Sequence, residues 1–167
     1  MSQLLTSLFE FKAWANAATL PVIARLDPAG QAEARHAALR LMNHIHVVDN
    51  IFRAHLGGQP HGHEATNTVD TPTVEALGEA MASTDAWYVD FVAGVDPARL
   101  AEAVTFRFTD GDGGRMSRQE MLLHVITHGG YHRGAVGRIL SQQGLAPPRE
   151  LFTGHLHRTE PQRRAAG

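Results

Sequence analysis

Cysteine is missing from all 167 residues, which excludes disulfides and thiolate metal sites and leaves histidine and carboxylate side chains as the strong metal ligands. Long apolar runs are missing too. No stretch reaches the roughly 18 uninterrupted apolar residues of a membrane span. The opening MSQLLTSLFEFKAWANAATL has neither a basic leader nor a cleavage motif, so a cytoplasmic address without a membrane partner is expected. Charge of one sign is scarce: 15 basic and 17 acidic side chains leave a formal −2. No basic run precedes Arg163-Arg164, which argues against nucleic acid as a partner.

What is present is 43% hydrophobic and 19% charged residues, the balance of a chain that folds, at a length suited to one domain over residues 1–167. Histidine is the oddity, with 11 copies.

Helical periodicity accounts for most of the chain. Leu4, Leu8, Phe11, Ala15, Ala18 and Val22 predict a first amphipathic helix over about residues 3–25, with Pro21 kinking or ending it and Trp14 in the core. After the Asp27-Pro28 turn, Ala34, Ala38, Leu41, Ile45, Val48 and Phe52 predict a second helix over about 32–56. Gly57-Gly58 and Pro60 end it. A long polar connection follows, in which His61 and His63 read as solvated loop residues. Val74, Leu77, Met81, Thr84, Tyr88, Phe91 and Val95 predict a third helix. Asp96-Pro97 breaks the pattern, and the alternation of Val104, Phe106 and Phe108 around DGDGG predicts a short hairpin or extended loop. That Asp-Gly cluster lacks the spaced acidic positions and terminal glutamate of a calcium loop.

The fourth helix, Ser117 to Gln142, carries the chemistry. Ser117 and Glu120 form a capping box, and Met121, Val125, His128, His132, Ala135 and Ile139 follow at 4-3-4-3-4 spacing as the core-facing stripe. Side chains four apart on a helix have Cβ atoms roughly 5–6 Å apart, so His128 and His132 can converge on one ion. His124 also pairs with His128. Because His124 and His132 are on the order of 12 Å apart along the axis, one ion cannot hold both, and His124 is read as an accessory group. His44 stays inside the wide apolar stripe of the second helix and is the natural third ligand. Taken alone, it reads equally as a buried histidine bonded to a backbone carbonyl or to Asp49. His46 faces away, and His55 lies roughly 16 Å from His44. Gly130, Gly134 and Gly137 line the opposite face, which predicts close approach of another helix, such as one from a second subunit. The tail is expected to lay Leu151, Phe152 and Leu156 back on the helices.

The segments WAN (Trp14 to Asn16), LMNHIHVVDNIF (Leu41 to Phe52), DGDGGRMSRQEMLLHVITHGGYHRG (Asp110 to Gly134) and APPRELFTGHLHRTEPQRR near the end span nearly the whole chain. Together they resemble the DinB (damage-inducible) family, whose members are taken to be metalloenzymes. The resemblance implies an all-α fold, a DinB/YfiT-like four-helix bundle holding a divalent metal on His44, His128 and His132. It also implies a homodimer, and an activity like that of metal-dependent thiol S-transferases working with a low-molecular-weight thiol. Two departures stand out: HRGA at His132 to Ala135 where HRGQ is frequent, and His46 where an apolar residue is usual.

Three neutral imidazoles with an open position describe a catalytic metal centre. Zinc or nickel is favoured, with iron or manganese also compatible. Tyr131, Arg133, His124 and Asp49 are candidates for orienting ligands or substrate, and Arg133 is equally expected as a surface or inter-subunit ion-pair residue. The expected function is thus a metal-dependent enzyme acting on small molecules in stress or detoxification. The alternative is a non-catalytic metal-binding or stress-associated helical bundle protein.

Overall fold

A computed structural model describes residues 2–164. Four long helices, α1 (Ser2–Ala24), α2 (Ala32–Gly57), α3 (Val74–Gly94) and α4 (Arg118–Gln142), form a bundle in which α1 packs chiefly on α3 and α2 on α4. A one-turn 3-10 helix (Pro97–Ala101) and an antiparallel hairpin, β1 (Ala103–Arg107) and β2 (Gly113–Ser117), lead into α4. A short helix, α5 (Phe152–Thr159), and a one-turn 3-10 helix (Pro161–Arg164) follow α4.

The helix ends follow local chemistry. Gly58 terminates α2 in the left-handed region at φ 67°, where a side chain would strain the backbone. The Ser117 hydroxyl accepts the Glu120 amide, and the Glu120 carboxylate accepts the Ser117 amide in return at 2.7 Å. That exchange pulls the Glu120 pKa down and fixes where α4 begins. Pro21 does not end α1, which continues to Ala24.

Two apolar clusters fill the bundle. One, at the hairpin end, contains Phe9, Phe52, Tyr88, Val92, Met121 and Val125. The other, at the opposite end, contains Ile23, Met42, Ile45, Leu77, Met81 and Val136. Between them in every helix lies a polar layer: Lys12 and Asn16 from α1, Asp49 from α2, Asp85 from α3 and Arg133 from α4, each buried. Lys12, the single lysine of the chain, is 0% exposed, and its Nζ is 2.6 Å from both Asp49 Oδ2 and Asp85 Oδ1. Asn16 donates to Asp85, and Arg133 donates to Asn16 and to Glu150 of the tail.

This layer moves two expected registers. On α1 the inward positions are Leu5, Phe9, Lys12, Ala15, Asn16, Leu20 and Ile23, while Leu4 is 57% exposed; Ala15 apart, the buried line is displaced by one residue from the expected apolar stripe because Lys12 and Asn16 point inward. On the second half of α4 the buried line is Gly129, Arg133, Val136 and Leu140, so His128 and His132 stand on its flank, half-buried. Gly129 is needed there. A Cβ at that position would fall 2.8 Å from the Arg133 Nη1 folded against it.

The extended tail of the same chain runs along the Gly130, Gly134 and Gly137 face, with Pro147 over Gly137 and Glu150 beside Gly130, while among the described residues nothing beyond the helix's own backbone lies within 4 Å of a Cβ built on Gly134. In the tail Phe152 packs edge-on against Phe11 as expected, and one expectation is corrected: Leu151 is exposed and His155 is buried, its ring edge-on to Phe11. Trp14 is half-buried, with the Arg158 guanidinium 4.3 Å from its ring centre. Among the described residues no helix is long and apolar enough to cross a membrane.

Candidate metal centre

The site sits at the level of the polar layer, in the seam between α2 and α4. The capping box sets the start of α4, and the helical repeat then places His128 and His132 one turn apart on the side facing α2. His44 projects from α2 to meet them. Ring centres are 4.9 Å apart for His44 and His128, 4.6 Å for His44 and His132, and 4.5 Å for His128 and His132. One ring nitrogen from each lies within 4.8 Å of the others, the one group of three such donors found among the described residues.

The polar connection between α2 and α3 orients the trio. Asn43 donates to Asn67 and Thr68, Asn67 donates to the Arg40 carbonyl, and the connection is thereby pinned along α2. That brings the Thr66 carbonyl 2.7 Å from His44 Nδ1. A carbonyl can only accept, so Nδ1 carries the proton and Nε2 presents its lone pair to the seam. One nitrogen of His44 thus meets a backbone carbonyl, not Asp49, and the other faces His128.

His44 Nε2 and His128 Nε2 are 3.0 Å apart. Two imidazole nitrogens each about 2.0–2.1 Å from a shared ion stand roughly 2.9–3.4 Å apart at coordination angles between square and tetrahedral, so this spacing suits a common ion. Burial, reinforced by the neighbouring His132 and His44, holds His128 down to about pKa 3, and burial with His44 beside it also lowers His132. Both rings are thus neutral at neutral pH, the form that binds metals. The trio fits a divalent ion by donor type and convergence. One feature is incomplete: His128 Nδ1 is buried without a hydrogen-bond partner.

The remaining candidates fall in different places. His124 stacks on His128 with ring centres 5.3 Å apart and on Phe52 at 4.6 Å, beside the trio and outside the donor group. Tyr131 is 77% exposed and meets the His132 ring edge-on at 5.1 Å, on the rim. Asp49 is buried in the polar layer, where burial outweighs the attraction of Lys12 and raises its pKa to about 6. Arg133 is not a surface or inter-subunit residue. Its guanidinium is buried in a two-pronged ion pair with Glu150 and a bond to Asn16. His61 packs against His55, and neither joins the trio. His46 bonds to Asn50 and is half-buried.

Sequence reasoning missed Thr66, Lys12 and Asp85. Nothing local marks Thr66, whose contribution is a carbonyl. The spacing of Lys12 and Asn16, four apart between apolar neighbours, was a usable signal for an inward polar pair.

No curated protein and no solved structure matches the chain. Residues 1–164 match the DinB family, and with nearly the whole chain covered, this protein belongs to that family.

Proposed function

We propose that this DinB-family protein is a divalent-metal enzyme acting on small molecules, with a thiol S-transferase-like activity and with His44, His128 and His132 as the metal ligands. One observation carries the reading: three imidazoles from two helices converge, with no carboxylate or further histidine in the group among the described residues. A divalent ion held by three protein ligands retains an open position, and there it supplies Lewis-acid chemistry that eases ionisation of a bound water or thiol.

The chain's own residues do the rest. The Thr66 carbonyl locks the His44 tautomer, and the α4 backbone keeps His128 and His132 in step. Tyr131, at the rim beside His132, is placed to offer its hydroxyl to an arriving substrate. His124, stacked on His128, stands ready to exchange a proton with a bound molecule. Zinc or nickel is the preferred occupant, with iron and manganese also compatible with imidazole donors. Assembly as a homodimer belongs with this reading, and light scattering of the purified protein tests it.

Turnover is the decisive experiment. Metal-loaded protein incubated with cellular thiols and small electrophiles should form thioether product above the His132→Ala background; no product with any pair refutes the enzymatic half. A second reading, metal binding without turnover, is favoured by the orphaned His128 Nδ1, because reactive metal centres usually fix the outer nitrogen of each histidine. On that reading the ion fastens α2 to α4, and metal removal lowers the melting temperature without any activity to lose.

A further inference from the structure

Beside the trio lies a cavity of about 330 Å³ between α2, α4 and the hairpin. Its walls are Val48, Ile51, Phe52, Phe106, Phe108 and Met116, and it reaches His44 and His128 at one end. Its polar lining is Thr66, Thr109 and the imidazoles of His44, His55, His124 and His128, and no carboxylate, ammonium or guanidinium group lines it among the described residues. For scale, a cavity of about 150 Å³ holds benzene. This space is roughly twice that.

The outer wall is built by the hairpin. Phe106 lies in β1 and Phe108 just beyond its end, with ring centres 4.9 Å apart, and Phe106 pairs with Gly114 across the strands. A Cβ on Gly114 would stand 2.5 Å from Phe106 Cζ and 2.9 Å from Phe108 Cε2, so a glycine there is what lets both rings fold over the strand. Phe106 is buried while Phe108 stays 46% exposed, which marks Phe108 as the rim.

We propose that this cavity receives an uncharged apolar group of the substrate, such as an aryl or branched alkyl group of up to about two rings, whose reacting end faces His44 and His128. The assignment of a reacting end rests on the metal-enzyme reading above; the cavity's preference for a neutral apolar group does not. A charged group entering the apolar part of this pocket would lose its hydration against Phe52, Phe106 and Phe108 with no carboxylate, ammonium or guanidinium to offset it. Ionised parts of a thiol or electrophile other than the reacting end therefore stay outside, toward the His132 and Tyr131 rim.

Two neutral-and-charged twin probes, indole and indole-5-carboxylate, test this on protein carrying 13C-labelled methionine methyls. Met116 lines the cavity, while Met42 and Met81 sit in the far apolar cluster and serve as internal controls. Indole should move the Met116 signal and leave Met42 and Met81 in place, with or without metal. On metal-free protein the carboxylate twin should bind at least about tenfold more weakly. Phe108→Asp, a change at an exposed position, should weaken indole binding by a similar factor while leaving metal content and thermal melting unchanged; Gly114→Ala should shift Met116 before any probe is added. Equal binding of the twins, indole shifts spread over all the methionines, or indifference to Phe108→Asp would each overturn the proposal. Metal content separates the two readings. Indole binding at Met116 in a protein that takes up no metal refutes the metal reading alone, and metal uptake without a Met116 response refutes the cavity alone.

Discussion

Replacing Lys12 with methionine should be the most damaging single change away from the histidines. Its ammonium is 0% exposed and lies 2.6 Å from carboxylate oxygens of both Asp49 and Asp85, themselves almost fully buried. Burial works against the charge of Lys12, yet the two carboxylates outweigh it and its pKa is raised. Methionine fills the same volume but leaves two carboxylates without their shared cation. Breaking a buried pair on one side costs about 3–5 kcal/mol, and at about 2–4 °C per kcal/mol for a chain of this size the melting temperature should drop by roughly 6–20 °C. Circular dichroism melts of metal-free protein measure this. Adding Asp49→Asn and Asp85→Asn to Lys12→Met should recover most of the loss, since neutral amides keep the shape without the stranded charge. A drop below about 3 °C, or no recovery in the triple variant, would show that the polar layer is not held by this ammonium.

The same layer makes three other predictions, and the proposed ligand set a fourth. Asp49, at about pKa 6 against an ordinary value of 3.8, holds a proton in the folded chain that the unfolded chain has released, so its contribution to stability is fully present below about pH 4 and is lost as pH rises through about 6. Asp49→Asn removes that dependence: the wild-type melting temperature should fall relative to the variant between pH 4 and 7, and a wild type that gains on the variant across that window would contradict the assignment. Tyr88 donates its hydroxyl to the Asp49 carbonyl at 2.7 Å inside the core, so Tyr88→Phe should cost about 1 kcal/mol in urea unfolding. Gly129→Ala should destabilise the fold by pushing against the Arg133 guanidinium, and Arg133→Met in the same chain should relieve part of that loss. Asn43→Ala loosens the connection that carries the Thr66 carbonyl; on the proposed metal reading it should weaken metal affinity about 10- to 100-fold in chelator competition without abolishing binding.

Most of the helical layout was legible because apolar spacing and caps are local. The Ser117 and Glu120 exchange, the Gly58 stop, the hairpin around Asp110 to Asp112 and the convergence of His44 with His128 and His132 all follow from residues within a few turns of one another, or from two helices each presenting one histidine-bearing face. The missed features depend on partners far along the chain. Lys12 points inward only because Asp85, 73 residues later, is there to receive it, and an apolar stripe cannot reveal such a pair. Arg133 is buried for the same reason, with Asn16 117 residues away and Glu150 in the tail, and its burial turns the register of α4 by one residue. The tail covering the glycine face, and the Thr66 carbonyl behind His44, are backbone contributions with no side-chain signature.

The shared ion is tested most directly by the metal content of protein purified without a polyhistidine tag and exposed to equimolar zinc, nickel, iron and manganese. About one divalent ion per chain should be retained after desalting, with zinc or nickel foremost, and His44→Ala, His128→Ala and His132→Ala should each lose it while His124→Ala and His55→Ala keep it. Wild-type protein that emerges free of metal, or retention that survives loss of any one of the three, would contradict the claim that these rings share an ion.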